Sequence, residues 1–384
     1  MRVKLGDIFE IGSGGTPAKS HPEYYNGDIP WVKTGDLKSE YLFEVEDFIT
    51  EEGVENSSAK MYEKDTVLIA MYGATIGATS ILKMSACTNQ ACAAFKKNEK
   101  VIPEYLYYFL KSKKEKFVKD GVGGAQPNIS VGYLKKTEME LPLLKEQRKI
   151  VDILDRISEM VLKRNQEIQL LDDLIKARFV EMFGDPSTNP RGWDETTISD
   201  ECFYIKDGPH KSLPDIGKEN GGHPFISVRN IVNGHIDFST ARYISDEDYA
   251  DAIRKCHPEK GDMLYSKGGT TGIAKLIDID EEFANWVHVA VLKFDKSRLN
   301  GVFFENMLNC SYCYEQSQRL TKGIANRDLV LSAMAQIKLY CPPMELQNQF
   351  ADFVKQVDKS KVAVQKALDE TQMLFDSLMQ KYFA

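Results

Sequence analysis

Residues 141–155, LPLLKEQRKIVDILD, and residues 341–355, CPPMELQNQFADFVK, are two versions of one pattern placed 200 residues apart. Each version has a proline and a short apolar turn, then a glutamine inside a run of helix-forming residues. Repeats of such length indicate a duplicated architecture. The 384-residue chain is therefore predicted to hold two half-chains that share a fold.

Both copies continue into long helices with a heptad spacing. Residues 145–183 contain no glycine or proline. Apolar residues recur there at Ile150, Leu154, Ile157, Val161, Ile168, Leu171, Ile175 and Met182. The intervals are three and four residues, with Arg164 and Arg178 at the two positions where the apolar residue is missing. The second copy keeps the frame at Phe350, Val354, Val357, Val364, Leu368, Phe375, Leu378 and Tyr382. Such a spacing over about five heptads is typical of a coiled coil. We predict an antiparallel pair, because Gly184-Asp185-Pro186 stops the first helix; two separately packed amphipathic helices are the alternative.

The rest of each half carries short apolar or β-branched runs between turn signals, such as DTVLIAMY (65–72) and WVHVAVLKF (286–294). One helix is predicted over residues 103–120, with a counterpart near 299–320. We therefore predict an α+β fold in which two pseudo-repeated globular domains with mixed or antiparallel sheets are separated by the long helices. The predicted boundaries are residues 1–143 and 185–342 for the domains and 144–184 and 343–384 for the helices.

Composition restricts the function classes. The net charge is −8, from 49 basic and 57 acidic residues, which argues against nonspecific coating of nucleic acid but permits a local basic face. No apolar run approaches the roughly 18 residues of a membrane span, and the N-terminal residues lack an apolar signal core. Seven cysteines without a framework spacing fit reduced thiols. We expect a cytoplasmic protein.

The sequence lacks the recognised motifs of catalysis. It has no phosphate-binding GxxxxGK with a following Ser or Thr, no dinucleotide-binding GxGxxG unit and no nucleophile elbow. The tetrapeptide of amino-methyltransferases is also missing. Cys310 and Cys313 form a lone CxxC, which is a weak signal for zinc without further ligands. We predict a binding scaffold with no cofactor or metal, while a catalytic site assembled only in three dimensions stays open.

Glycine-rich segments recur in both halves, at residues 10–20, 71–80 and 120–130 and at residues 205–212, 266–275 and 320–329. Glycine permits close backbone approach to a ligand, and backbone N–H groups with nearby Lys, Ser and Thr suit phosphate contacts. Asn, Gln and Arg side chains offer the paired donors and acceptors that bind base edges. The segments favour a nucleic-acid interface; ordinary tight turns are the alternative.

The opening LGDIFEIGSGGTP (5–17) and the following GDIPWVKTGDL (27–37) resemble the start of a target recognition domain in specificity subunits of type I restriction–modification systems. The segment MFGDPSTNPRGW (182–193), after the central helix, resembles the lead into that family's second recognition domain. The likeness spans essentially the whole chain. It implies a non-enzymatic subunit that reads a split, asymmetric sequence in double-stranded DNA, with the helices setting the spacer.

The resemblance also implies partners. Two methyltransferase subunits and two restriction subunits would dock on this chain, and S-adenosylmethionine and ATP would bind those partners. Two other classes stay open: a stand-alone DNA-modifying enzyme with unrecognised motifs, and a coiled-coil adaptor that binds no nucleic acid.

Candidate DNA contacts follow from the loops and the basic residues. Phosphate contacts are predicted at Lys19, Lys33, Lys38, Lys113, Lys114, Lys116, Lys206, Lys211, Arg229, Lys267, Lys322 and Arg327. Base contacts are predicted at Thr34, Tyr72, Thr75, Gln126, Asn128, His210, Asn230, Thr270, Thr271 and Asn326. For the lysine run of residues 111–119, a solvated helix face is the alternative reading.

Overall fold

A computed structural model describes residues 1–122, 128–232, 234–324 and 326–384. The chain packs as two units, of which unit 1 comprises residues 1–165 and 366–384, and unit 2 comprises residues 166–365. Within the described residues, no helix is both long enough and apolar enough to cross a membrane.

Unit 1 is an α+β structure. Its strands are β1 (Arg2–Lys4), β2 (Ile11–Ser13), β3 (Tyr25–Val32), β4 (Tyr41–Leu42), β5 (Phe48–Ile49), β6 (Met61–Tyr62), β7 (Val67–Ala70), β8 (Thr79–Leu82), β9 (Ala86–Thr88), β10 (Cys92–Phe95) and β11 (Glu138–Glu140). Its helices are α1 (Leu5–Ile8), α2 (Glu51–Glu55), α3 (Pro103–Ser112), α4 (Lys114–Asp120), α5 (Val131–Lys136) and the first part of α6 (Leu144–Phe183).

Unit 2 has the same kinds of elements. Its strands are β12 (Glu195–Thr197), β13 (Cys202–Asp207), β14 (His223–Ile226), β15 (Arg242–Ile244), β16 (Met263–Ser266), β17 (Ala274–Leu276), β18 (Ala284–Asn285), β19 (Val289–Phe294) and β20 (Lys338–Tyr340). Its helices are the second part of α6, then α7 (Ile198–Glu201), α8 (Asp246–Lys255), α9 (Gly301–Asn309), α10 (Ser311–Leu320), α11 (Leu331–Met334) and the first part of α12 (Met344–Phe383).

The two units share a strand topology. The main sheet has the order β2-β10-β7-β8-β4 in unit 1 and β13-β19-β16-β17 in unit 2. In a second sheet, β3 pairs parallel to β9 and antiparallel to β5, as β14 pairs parallel to β18 and antiparallel to β15. A two-stranded sheet joins β1 to β11, and another joins β12 to β20. These matches confirm the predicted duplication of an α+β domain with mixed sheets.

The central strands are apolar on both faces because each face meets a different core. In β7, Val67 and Ile69 pack with the aromatic side chains of α3, whereas Leu68 and Ala70 join a second cluster that contains Val32. Side chains alternate across a strand, so an unbroken apolar run is what such a position requires. In unit 2, the strand β16 is buried on both faces in the same way.

The long helices pack against each other in antiparallel fashion within each unit. In unit 1, Leu154 and Ile157 of α6 share a core with Phe375 and Met379 near the end of α12. In unit 2, Phe179 near the end of α6 contacts Phe350 near the start of α12, with ring centroids 5.4 Å apart. The predicted antiparallel pairing of the long helices is confirmed. The alternative, in which the two helices pack separately, is wrong.

One helix boundary differs from the prediction. The helix predicted over residues 103–120 is divided into α3 and α4 by Lys113, whose φ of −94° and ψ of 2° depart from helical values. The Lys113 ammonium donates a hydrogen bond to the carbonyl of Phe383. Unit 2 has the same interruption at Cys310, between α9 and α10.

Candidate nucleic-acid interface

Four loops of unit 1 are hydrogen-bonded together at one end of its sheets. They are residues 14–20, 71–78 and 88–91, with Val122 and Asn128 from a fourth segment, and we call them loop cluster 1. The Gly15 N–H donates to the Thr88 carbonyl at 2.9 Å, and the Met71 N–H donates to the Ala91 carbonyl at 2.8 Å. The glycine-rich segments predicted from the sequence therefore meet in one place, joined by residues 88–91.

Unit 2 repeats this arrangement in loop cluster 2, which comprises residues 208–212, 267–273, 285–288, 322–324 and 326–328. The Lys267 N–H donates to the His288 carbonyl at 2.8 Å, and the Gly269 N–H donates to the Arg327 carbonyl at 3.0 Å. The bridge between Tyr72 and Asn128 in cluster 1 has its counterpart between Gly268 and Asp328 in cluster 2. Because equivalent backbone contacts hold both clusters, their differing side chains are presented on one framework.

Several predicted residues of unit 1 lie exposed in or beside cluster 1. Tyr72, Asn128 and Lys19 belong to the cluster and are exposed, while Thr75 is half-buried and its hydroxyl donates to the Tyr72 carbonyl at 3.2 Å. Gln126 lies outside the described residues. The cluster thus offers a phenol, an amide, a hydroxyl and one ammonium group to solvent.

The turn that follows β3 adjoins cluster 1, because the Asn89 N–H donates to the Val32 carbonyl at 2.9 Å. Lys33 and Thr34 are half-buried on this turn, and Lys38 is exposed beyond it. The Lys33 ammonium forms an ion pair with Asp47. A phosphate contact at Lys33 would therefore compete with a carboxylate.

The lysine run is divided between two environments. The Lys113 ammonium is tied to the end of α12 and lies 5.6 Å from the centroid of the Phe109 ring. Burial lowers the pKa of Lys113, and the charges of Lys116 and Arg2 lower it further. Lys114 and Lys116 are exposed, and the stem of Lys114 packs against Gly77 of cluster 1. Lys114 of the run therefore contacts the predicted interface.

The exposed predicted residues of cluster 2 are His210, Lys211, Thr270, Lys322, Asn326 and Arg327. Three of these make weak or shared contacts. His210 lies 3.7 Å from Asp207, Lys211 lies 3.5 Å from Asp248, and the Arg327 guanidinium bonds to Gln318. Their polar groups stay open to solvent.

Two predicted cations of unit 2 lie outside cluster 2. Lys206 is exposed on β13, with its ammonium 5.1 Å from the centroid of the Tyr204 ring. Arg229 is exposed on the turn after β14 and donates to the Thr240 carbonyl at 2.7 Å. Both keep accessible charge.

The structure does not support direct DNA contacts at three predicted residues. Asn230 is buried, and its amide bonds to the Ser227 N–H at 2.8 Å and the Asp237 carbonyl at 2.8 Å. Thr271 is buried with its hydroxyl 2.9 Å from that of Thr321. Lys267 is 5% exposed and is held by two carboxylates. These side chains are already satisfied, so we remove them from the candidate set.

Sequence reasoning missed the loop between β9 and β10 and its counterpart between β18 and β19. Gln90 is exposed there, and its side chain bonds to the Thr16 hydroxyl. In unit 2, Trp286 stacks edge-on against His288, and the Arg242 guanidinium lies 5.7 Å from the Trp286 ring. The available signal was polar or aromatic residues between two apolar runs, as in TNQ (88–90) and NWVH (285–288).

The described residues hold no group of three or more His, Cys, Asp or Glu side chains placed to bind a metal ion. Cys310 and Cys313 interact as two free thiols, and the hydrogen bond between them, together with burial, raises the pKa of Cys313. Two thiols do not make up a structural zinc site, which takes four ligands.

The two units share one topology. Each unit has a polar loop cluster and contains about half of each long helix, so the chain is a duplicated recognition scaffold. The family described as the type I restriction modification DNA specificity domain matches residues 1–171 and 190–371. The chain belongs to this family, whose subunits recognise DNA and leave catalysis to partner subunits. The resemblance found in the sequence is thereby confirmed.

Individual relatives match along nearly the whole chain. The type I restriction enzyme MjaIX specificity subunit of Methanocaldococcus jannaschii is 26% identical over 398 residues, covering 98% of this chain and 91% of the relative. A crystal structure of a type I restriction-modification S subunit from M. genitalium has a TM-score of 0.57 at 17% identity, covering 100% of this chain and 96% of that one. A chain solved in a study of complex assembly and conformational transition of the type I R-M system has a TM-score of 0.59 at 18% identity, covering 100% and 97%. The two structures support the fold.

Proposed function

We propose that this chain reads a bipartite, asymmetric sequence in double-stranded DNA, with one half-site for residues 1–143 and the other for residues 185–342. The observation that carries this proposal is the pair of loop clusters, which share a framework and differ in side chains. At equivalent bridge positions, Tyr72 and Asn128 of cluster 1 are replaced by Gly268 and Asp328 in cluster 2. Different donors and acceptors on one framework favour unlike base sequences.

The proposed contacts are the exposed and half-buried members of the predicted set, with Gln90 and His288 as additions. Phosphate contacts are assigned to Lys19, Lys33, Lys38, Lys114, Lys116, Lys206, Lys211, Arg229, Lys322 and Arg327. Base contacts are assigned to Thr34, Tyr72, Thr75, Gln90, Asn128, His210, Thr270, His288 and Asn326. Lys113 is left out because its ammonium is bonded to Phe383.

The test is a map of methylated adenines in a host genome with and without this gene. We expect methylation to disappear from one two-part sequence with an undefined spacer when the gene is deleted. Loss of methylation at a single continuous sequence, or no loss at all, would contradict the proposal.

We propose that the chain acts within a complex, in which methyltransferase and restriction subunits bind S-adenosylmethionine and ATP. With a net charge of −8, the isolated chain has little electrostatic attraction for DNA. We expect the complex with methyltransferase subunits to bind its target about 10³-fold more tightly than the isolated chain does. Fluorescence anisotropy with labelled duplexes at fixed salt measures both affinities. Tight, specific binding by the isolated chain would disprove this expectation.

The exposed side chain of Val362 on α12, with the groove that it lines, offers a docking surface for the methyltransferase subunits. Val362 is 70% exposed, and it lines a groove of about 590 Å3 together with Val302 and Val354 in unit 2. Charged side chains, Asp352 and Lys355 among them, border this groove. Apolar surface with a polar border is characteristic of an interface.

Substitution Val362→Glu is expected to weaken methyltransferase docking by about tenfold, because a carboxylate would lose its hydration in the apolar groove. Copurification and sedimentation of the complex measure the effect. Ala363→Glu is the matched control, since it adds the same charge at the next exposed position of α12. Equal behaviour of the two variants would remove this groove from the proposed interface.

A further inference from the structure

Lys267 holds three loops of cluster 2 together through its side chain. Its ammonium lies 3.0 Å from Asp328 Oδ1 and 3.5 Å from Asp207 Oδ2. Asp207 ends β13, Lys267 follows β16, and Asp328 lies in the segment that carries Asn326 and Arg327. One buried cation thus connects the loops that begin at residues 208, 267 and 322.

The backbone of Lys267 adds contacts that both units share. In unit 2, the Leu329 N–H donates to the Lys267 carbonyl at 2.7 Å, and in unit 1 the Ile129 N–H donates to the Met71 carbonyl at 3.0 Å. The ion pairs of the side chain are therefore an addition to a common framework.

Unit 1 has neutral residues at all three positions. Met71 follows β7 as Lys267 follows β16. Ser13 pairs with Ala93 of β10 as Asp207 pairs with Ala290 of β19. Asn128 takes the bridge position of Asp328. The charged connection is therefore specific to unit 2, because each of its three charged residues has a neutral residue at the equivalent position of unit 1.

We propose that Lys267 is a positioning residue that sets the specificity of cluster 2 for its half-site without touching DNA. This inference rests on the proposed function. A buried cation between two carboxylates fixes geometry because both carboxylates must lie within bonding distance of one ammonium group. Without Lys267, Asp207 would keep Lys255, whose ammonium lies 3.1 Å from its Oδ1. Asp328, 46% exposed at its side chain, would have no remaining partner among the ion pairs of the described residues. The backbone bonds of Arg327 and Leu329 would still hold the loop, but its side chains would lose the position that the ion pair fixes.

The test uses the complete complex with methyltransferase subunits and duplexes that carry the mapped target or one changed base in either half-site. In Lys267→Met, we expect discrimination against the changed base to fall by about 10- to 30-fold at one half-site and to stay unchanged at the other. The slope of log affinity against log salt should not change, because no phosphate contact is lost. Asn128→Ala, in cluster 1, should affect the other half-site.

Two further variants separate positioning from stability. Lys255→Met removes the other cation beside Asp207 and its bond to the Gly208 carbonyl, but it leaves the contact between Lys267 and Asp328. It should therefore keep discrimination if that contact sets the specificity. The triple variant D207S/K267M/D328N carries the neutral residues of unit 1 at the three positions, so neither carboxylate is left without Lys267. It should unfold at the wild-type temperature and still lose discrimination.

The outcomes are distinct. A salt slope that falls by about one unit in Lys267→Met would show a phosphate contact and overturn the inference. Full discrimination in Lys267→Met or in the triple variant would overturn it as well, as would equal losses at both half-sites. Failure of the wild-type complex to bind a two-part target would instead refute the proposed function.

Discussion

Replacing Gln347 with leucine is expected to lower the free energy of unfolding of unit 2 by about 3–5 kcal/mol. Gln347 is fully buried near the start of α12. Its Oε1 accepts the Asn300 N–H at 2.8 Å, and its Nε2 donates to the Arg298 carbonyl at 2.9 Å and the Pro342 carbonyl at 2.7 Å. Leucine would leave the Asn300 N–H and the Pro342 carbonyl without this partner, and the Arg298 carbonyl would keep only the Cys341 thiol at 3.4 Å. Each buried group without a partner costs about 1–3 kcal/mol.

Urea denaturation followed by tryptophan fluorescence measures this loss, since Trp193 and Trp286 both lie in unit 2. Gln349→Leu is the matched control, because Gln349 is exposed on the same helix and the same change there should cost less than about 0.5 kcal/mol. If the two variants unfold at the same urea concentration, the three hydrogen bonds of Gln347 do not stabilise unit 2.

The role of this glutamine shows what a repeat makes predictable. Gln147 in unit 1 is also fully buried, and it bonds to the Ile102 N–H and to the carbonyls of Lys100 and Pro142, each at 2.9 Å. The repeat places the two glutamines at equivalent positions 200 residues apart, and it predicts a long helix after each of them. Their burial was not predicted, because it depends on the chain segments before α3 and α9.

The heptad frame was predictable for a different reason. Each apolar position of α6 and α12 is specified locally by its neighbours three and four residues away. The antiparallel direction followed from the helix stop at Gly184, which has a φ of +81° in the structure. The recurrence of the glycine-rich segments in both halves favoured a shared role, whereas their convergence follows from the backbone bonds of the structure.

The burial of some candidate contact residues could not be predicted, because residue type does not reveal what a side chain bonds. Lys267 had the chemistry of a phosphate contact, but its partner Asp328 is 61 residues away in the sequence. Asn230 was expected to read bases, but its amide caps the short turn of residues 228–230. The loop of residues 88–91 was missed because it contains no glycine or charged residue.

The close contact at Gly14 joins the first loop of cluster 1 to the loop of residues 88–91. An added Cβ at Gly14 would lie 1.8 Å from the Thr88 carbonyl oxygen, and one at Gly208 in unit 2 would lie 1.7 Å from the Asn285 carbonyl oxygen. The obstacle is backbone in both units, so a side-chain rotation cannot relieve it. Both loops carry residues of the proposed interface, including Lys19 and Gln90.

Gly14→Ala is therefore expected to weaken target binding by the complete complex by about 100- to 1,000-fold, since the strain of overpacking adds to lost base contacts. The loss should depend on the half-site opposite to the one affected by Lys267→Met. Gly35→Ala is the matched control, because a Cβ there would meet no atom within 4 Å although Gly35 lies beside Thr34. Anisotropy titrations with duplexes altered in one half-site at a time measure both variants. Wild-type affinity in Gly14→Ala would mean that the spacing of these two loops does not govern recognition, and the assignment of cluster 1 as a DNA-reading surface would then fail.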